Sequence, residues 1–570
     1  MATTSIAVGV PRARLKRLAS VRIDRALAYE LILLSGLVVA AGAIRLREFA
    51  TAPSWTDEVR EIVIALDIAT GQALPLTNIH AYIGAIWNYV LAAAFLTVGP
   101  YPDLPRLVAL TFGLGTIIAT YLLGRRLGGP VTGGIAAGLL VVSGTHVLVN
   151  SRIAWSHSIT PLFTTLTIWL LLGATAGGRR LVFAGLTCGL AVQTHITAAA
   201  LVPAVGAFVL GWRRSWLRSR WVWLGGLAFL GANTNVLLFH LLNGPQVMFA
   251  HAAKAYGKGP GQELVSRFVG GDTQAELFVA NAGRLALTSV RILSGAVDIR
   301  PTVTAYLSDP LIIASVVLLL VGLVQVTRRV SVLPLLVLIA WGLLLIFVVK
   351  KSEVIPNARF LMPAIPLSLA LVSCGITQCA RLLTRRALIR GAIVVTLTGA
   401  LAFASLAGLE ARLGDLKDSS QTSAGLARMV DIVASTRGPS EPVFVDPLLV
   451  RLWLDGGGTV NMALKYRFRV VGVPMVDLRE RNERPPDDRF EIDTCGTNRI
   501  VLQQVRIGDG DPLERLLPGR SVPPVGTAVW LVRVADPKET PSGSTLVIRH
   551  QPPIMASGRA MFACGRDRLI

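Results

Sequence analysis

The chain has 570 residues, 52% of them hydrophobic and only 16% charged, and its mean hydropathy of +0.58 excludes an ordinary soluble protein, which carries about 25% charge. The formal net charge of +22 does not mark a nucleic-acid binder. Residues 1–408 hold 34 basic and 14 acidic side chains, residues 409–570 hold 22 and 20, and the excess sits in short connections between apolar runs, as on the cytoplasmic side of a membrane protein.

The basic tail, 1–26, is followed by an apolar run at 27–44 with no small-residue cleavage site. It reads as a retained membrane helix rather than a cleaved signal. Apolar runs recur at 106–124, 131–149, 157–174, 181–195, 196–211, 221–242, 309–327, 332–349, 360–380 and 390–408. The expected fold is therefore an all-α polytopic domain of about eleven transmembrane helices over 27–408. The segments this topology places inside hold twenty basic residues against one acid, Asp24, so the N-terminus is expected in the cytoplasm and the tail domain outside.

The run 82–98 is apolar enough to span, but counting it would invert every later loop and put most of the arginines outside. It is read as an interfacial helix within one long first outer loop, 45–105. The pair 181–195 and 196–211 is short: fifteen residues reach about 22 Å, against a core of about 30 Å.

The first outer loop reads APSWTDEVREIVIALDIATGQALPLTNIHAYIGAIWNY. Val59, Ile62, Val63 and Leu66 fall at helical spacing, so a short amphipathic helix is expected. Ser54 or Thr56 can cap its start and Gly71 can end it. Asp57 and Glu58 suit the positive end of its dipole. Spacing alone leaves open whether they do more than that.

An acidic pair just after the first span, with a tryptophan two residues ahead, resembles the lipid-linked-sugar glycosyltransferases of the GT-C fold. These include the protein O-mannosyltransferases and the aminoarabinose transferases of lipid A. Three further stretches are similar on the same face: PDLPRLVALTFGLGTIIATYLLGRRLGG with Arg106 at its outer end, NSRIAWSHSITPLFTTLTIWLLL with Arg152, and IPNARFLMPAIPLSLAL with Arg359. The resemblance covers about residues 27–408.

It implies a polyprenyl-phosphate-linked sugar as donor, a hydroxyl-bearing acceptor (protein, lipid or polysaccharide) and the lipid bilayer as partners, and no nucleic acid. Asp57 is the expected catalytic base, since a carboxylate must take the acceptor proton. Glu58 would orient the acceptor or a neighbouring arginine. Arg106, Arg152 and Arg359 would face the leaving phosphate, with Lys350 and Lys351 close by. Each outer arginine also suits a lipid headgroup contact, the lysines a snorkelling pair, and Arg60 a local partner of Asp57.

Two positions depart from the family pattern. Five residues after Arg152, where relatives often carry an acid, stands His157, so no cofactor is expected to be required, and a divalent metal is an option that these residues do not support. Where relatives often have a lysine at the outer end of a mid-chain span stands His195, which suits a polar helix terminus or a hydrogen bond to phosphate or acceptor.

The long outer loop 243–308 is rich in glycine in its first half and helical in periodicity in its second, which suits a lid or a packing loop. From 409 to 570 the chain reads as a small soluble α/β or α+β domain, with a helix near 421–436 and strands in EPVFVD, AVWLVRVAD and STLVIRH. Cys495 and Cys564 fall on the oxidising side, where a disulfide can form. The resemblance favours an inverting membrane glycosyltransferase, a hexosyl- or pentosyltransferase. The alternatives are a transporter or flippase of a lipid-linked glycan, and a non-catalytic envelope-assembly protein. A transporter would carry ionisable or broken features deep in its spans. Here the polar groups gather at one face.

Overall fold

The computed structural model describes residues 25–47, 49, 56–149, 151–244, 247, 310–348, 358–438, 441–446, 449, 460–473, 475–477, 498–506, 527–535 and 546–550. Cys495, Cys564, Lys350, Lys351 and nearly all of the 243–308 loop lie outside them.

All the apolar runs read as spans fall on helix. Helix α1 (Arg25–Leu46) is followed by α2 (Thr56–Ala69) and α3 (Ile86–Val98), then by α4 (Leu104–Gly128), α5 (Pro130–Val142) and its short continuation α6 (Gly144–Leu148). Next come α7 (Ser156–Leu172), α8 (Arg180–Thr194), a 3-10 turn (Ile196–Ala200), α9 (Leu201–Trp212), α10 (Arg220–Ala232) and α11 (Thr234–Asn243). The set closes with α12 (Pro310–Arg329), α13 (Leu333–Val348), a 3-10 segment (Ala358–Ala364), α14 (Ile365–Leu383) and α15 (Ala387–Thr436).

Among the described residues, four helices are long and apolar enough to cross a membrane unaided: Arg25–Leu46, Leu104–Gly128, Leu361–Leu383 and Ala387–Glu410. The run 221–242 is not one straight rod, because α10 and α11 meet at a 60° bend. Helix α3 has 13 residues, about 20 Å at 1.5 Å per residue, too short for a ~30 Å core. It packs against α2 and α4.

Helix α14 forms the centre of the bundle, buried on nearly all sides. Lipid tails offer no hydrophobic drive for helices to associate, so close backbone packing must supply it. A Cβ added at Gly375 would meet the Leu318 carbonyl oxygen at 1.9 Å, and one at Gly185 would meet the Gly225 carbonyl oxygen at 1.9 Å. Glycine is thus what lets α12 touch α14 and α8 touch α10. The outward faces carry Leu227, Leu388 and Val395, all exposed, as a lipid-facing surface requires.

The two ends of the bundle differ in chemistry. At one, Arg125 pairs with Glu30 at 2.9 Å, Arg126 donates to Leu172 O at 3.0 Å and Arg180 donates to Gly173 O at 2.8 Å. Those arginines belong to the segments expected inside. The other end holds α2, α3 and the start of α4, and the tail domain docks there.

Helix α15 is a single 50-residue rod, about 75 Å long, running from the last apolar run into the tail domain. There it packs on a five-stranded sheet, order β2-β1-β4-β3-β5, built from β1 (Val443–Val445), β2 (Met475–Asp477), β3 (Asn498–Arg506), β4 (Ala528–Val534) and β5 (Leu546–His550). Strand β1 runs parallel to both its neighbours, while β3 is antiparallel to β4 and β5. Leu426, Met429, Val430 and Val433 of α15 share the tail core with Leu464 and Phe468 of α16 (Val460–Val470). The expected architecture, a helical membrane domain followed by a small mixed α and β domain, is the one found.

Candidate active site

Helix α2 opens with Asp57 and Glu58 in its first turn, where unsatisfied amides and the helix dipole favour negative charge. Val59, Ile62, Ala65 and Leu66 are buried against Trp87, Leu91 and Phe95 of α3 and Leu104 and Ala109 of α4. This apolar stripe fixes the rotation of the helix. Asp57 is half-buried and Arg60 exposed. Two further acids, Glu58 and Glu61, lie on the buried side at 1% and 2% exposure.

A buried carboxylate needs partners, and Glu58 has them. Arg106 reaches it with Nε at 3.0 Å from Oε1 and Nη2 at 3.2 Å from Oε2, the two-pronged geometry that suits a guanidinium. The amide of Ala154 donates to the same Oε1 at 2.9 Å. Of the two roles expected for Glu58, the geometry displays the contact to an arginine. The fork of Arg106 is turned to this carboxylate.

Glu61 was not singled out from the sequence. Its Oε2 accepts from the Ser156 amide at 2.6 Å and its Oε1 from the Ser156 hydroxyl at 3.0 Å. Its backbone oxygen accepts from Asn88 Nδ2 at 2.8 Å. Burial pushes its carboxyl up to about 8, opposed by the Ser156 hydrogen bonds and reinforced by the charge of Asp57. The apolar spacing gave no signal for it: position 61 is two residues from Val59 and five from Leu66, so it falls about 140–160° around the helix from them, on the face of Glu58 and Ala65, three and four residues away. An acid on a buried face calls for explanation.

The loop 151–155 joins these acids to the rest of the outer end. Its backbone supplies the Ala154 amide to Glu58, and Ala154 O accepts from Trp87 Nε1 at 3.1 Å. Arg152, fully buried, donates through Nη2 to Ile44 O at 3.3 Å and to Arg47 O, so this cation sits at the C-terminal end of α1, where the dipole favours it. Arg45, also unassigned by the sequence, donates to Ser151 Oγ at 2.9 Å and to Val141 O at 3.0 Å, and its Nη2 lies 2.7 Å from His146 Nδ1.

The two histidines noted as departures come together. His157, in the first turn of α7, and His195, just past α8, stack with ring centroids 3.7 Å apart and an interplanar angle of 7°. Thr197 Oγ1 lies 2.9 Å from His195 Nδ1 and 3.5 Å from His157 Nε2. Arg359 belongs to the 3-10 segment Ala358–Ala364, which Thr164 of α7 anchors by donating to Pro363 O at 3.1 Å. The Arg359 side chain lies outside the described residues. Among the described residues no three His, Cys, Asp or Glu side chains group to hold a metal ion.

The tail domain meets this end through α16. Tyr466 Oη donates to Pro102 O at 2.6 Å. Arg469 pairs with Asp67 at the far end of α2 and donates to Gln72 Oε1 at 3.1 Å. A small cleft results, lined by Glu58, Pro102, Asp103, Arg106, Tyr466 and Arg467.

Fold and site together define a class: a multi-span membrane protein that gathers an acidic helix, buried arginines and a soluble domain at one end of its bundle. Residues 86–238 match the family model described as dolichyl-phosphate-mannose-protein mannosyltransferase. That match bears out the resemblance to membrane glycosyltransferases of lipid-linked sugars that the outer-face residues suggested. No curated protein matches the chain.

Solved structures similar to it include the oligosaccharyltransferase AglB from Archaeoglobus fulgidus in complex with an inhibitory peptide and a dolichol-phosphate, at 13% identity and a TM-score of 0.46, over 78% of this chain and 64% of that one. ArnT from Cupriavidus metallidurans bound to undecaprenyl phosphate is similar at 15% identity and a TM-score of 0.42, over 77% and 85%. The same protein in its apo state gives 11% and 0.49, over 80% and 86%. The chain thus spans 64% of the length of the first oligosaccharyltransferase it matches.

Proposed function

We propose that the chain is an inverting membrane glycosyltransferase, a hexosyl- or pentosyltransferase, that moves a sugar from a polyprenyl-phosphate donor to an acceptor hydroxyl on the outer face of the membrane. The observation that carries this is the placement of Asp57. It stands at the start of a helix clamped by Glu58–Arg106 and Glu61–Ser156 to α4 and α7, both of which lie inside the family match.

In this reading the acceptor oxygen attacks the anomeric carbon while the bond from that carbon to the phosphate oxygen breaks. Asp57 takes the hydroxyl proton, and the polyprenyl phosphate leaves with the negative charge. Glu58, through Arg106 and the Ala154 amide, holds the start of α2 in place. Fixed positive charge would stabilise the leaving phosphate. Arg359 is the cation assigned to it and the His157–His195 stack offers it hydrogen bonds, with Arg152 ordering the loop 151–155.

The same reading puts 1–26 in the cytoplasm, 27–408 in the membrane and 409–570 outside. It is supported by the arginine-rich end of the bundle lying opposite the acidic helix. The test uses purified protein in lipid with a polyprenyl-phosphate-linked sugar and a pool of hydroxyl acceptors. Release of polyprenyl phosphate together with glycosylated acceptor supports the reading. Movement of the donor between leaflets without release of polyprenyl phosphate would replace it with transport.

A further inference from the structure

Three acids stand within two turns of α2, and their surroundings sort them. Asp57 is half-buried at the helix start. Glu58 faces an arginine. Glu61 is 2% exposed, and the hydrogen bonds to its carboxyl among the described residues come from neutral groups, the amide and hydroxyl of Ser156. Ser156 is the first residue of α7, and His157, the next, carries the histidine stack. Glu61 is therefore a polar side-chain link between the helix that starts with Asp57 and the helix that starts at the stack.

We propose that Glu61 is a positioning residue of this site, a neutral carboxylic acid that locks the acidic helix onto the start of α7 and leaves Asp57 to carry the reacting negative charge. The inference rests on the glycosyltransferase reading of the site.

Burial at 2% exposure, beside the Asp57 charge, favours the neutral acid, and the contacts accommodate it. The Ser156 amide donates to Oε2. In the neutral acid the proton sits on Oε1 and the 3.0 Å contact to Ser156 reverses, the Oε1 hydroxyl donating to Oγ, since a serine hydroxyl can turn to accept. The charged group acting on Glu61 is Asp57, on its own helix. Facing it from other elements are neutral groups: Ser156 of α7, Asn78 of the 70–85 connection, and Asn88 of α3 at its backbone oxygen. A second negative charge here would oppose that of Asp57 and repel an anionic donor. Ionisation of Glu61, which burial places at about 8, should thus switch the site off.

The sign for stability follows from the same shift. A carboxyl held above its ordinary 4.5 in the folded protein binds its proton more tightly there than in the unfolded chain. Wild type therefore loses stability as pH climbs from 4.5 to about 8, and Glu61→Gln, which cannot ionise, does not.

The experiment compares wild type, Glu61→Ala and Glu61→Gln in lipid, by transfer against pH and by thermal midpoint against pH. Wild-type kcat should drop about ten-fold from pH 7 to pH 9, as loss of one proton near 8 requires. Glu61→Ala should lower kcat about ten- to hundred-fold through misplacement. Glu61→Gln should recover most of that loss and remove the alkaline decline. Its thermal midpoint should gain on wild type as pH rises through the same window. A Glu61→Gln variant that keeps the alkaline decline, or a midpoint difference flat in pH, overturns the proposal. Absence of transfer by wild type at every pH would sink the functional reading itself, while the midpoint curves still decide whether Glu61 is neutral.

Discussion

At the scale of single residues, a buried charge persists only where its partners are supplied, and Glu58 shows what that entails. With side-chain exposures of 10% for Arg106 and 2% for Glu58, removing either partner strands the other. Glu58→Gln and Arg106→Gln should each cost about 3–5 kcal/mol of stability, and the double variant less than their sum. Thermal unfolding in detergent of the four proteins checks this. Strict additivity would mean that the pair carries no coupling. Much of this site was legible in the sequence. The order Asp57, Arg106, Arg152, His157, His195 on one face came from the motif stretches, and the structure brings the two histidines into one stack. Glu61 and Arg45 were not found. Both are charges on faces turned inward, and a motif reading looks for polar residues grouped outside apolar runs.

At the scale of elements, hydropathy located helices well and their ends poorly, for a physical reason. Apolar content reports where lipid is, whereas helix continues wherever propensity and packing allow. The segment 410–420 is polar, yet it holds no proline and belongs to one helix running to Thr436. The bend between α10 and α11 falls at Gly231, Asn233, Thr234 and Asn235, a short polar break that hydropathy averaged over a whole span smooths away. Close helix contacts depend on glycines that hydropathy counts as neutral. Gly185→Val should therefore destabilise the bundle by about 1–3 kcal/mol, since even a Cβ would strike a backbone oxygen of α10. Gly211→Val, where nothing lies within 4 Å, is the control, and equal thermal midpoints for the two would contradict the packing account.

At the scale of the whole molecule, charge distribution does what local signals cannot. The decision to leave 82–98 out of the span count rested on arginines far along the chain. Helix length does not replace that argument, since α3, left out, and α5, counted, both have 13 residues. A reporter fused after Arg126 should read cytoplasm and one fused after Asp418 should read outside. An external reading at Arg126 would put the acidic helix on the wrong face. The domain order was also legible, but the docking of α16 was not. Tyr466 meets Pro102 and Arg469 meets Asp67 across several hundred residues of chain, a pairing without local signature.

The account turns on the carboxylate at the start of α2. Asp57→Asn keeps the size of the side chain and leaves the Glu58 and Glu61 contacts in place, so the protein should fold and bind donor. It cannot accept the acceptor proton, and a general base contributes roughly 10²–10⁴-fold in rate. The measurement is transfer from a polyprenyl-phosphate-linked sugar by purified wild type and Asp57→Asn, with donor binding followed in the same samples. The account predicts a hundred-fold or greater loss of kcat, of the order a general base supplies, with donor affinity held. Transfer by Asp57→Asn within a few-fold of wild type would contradict it.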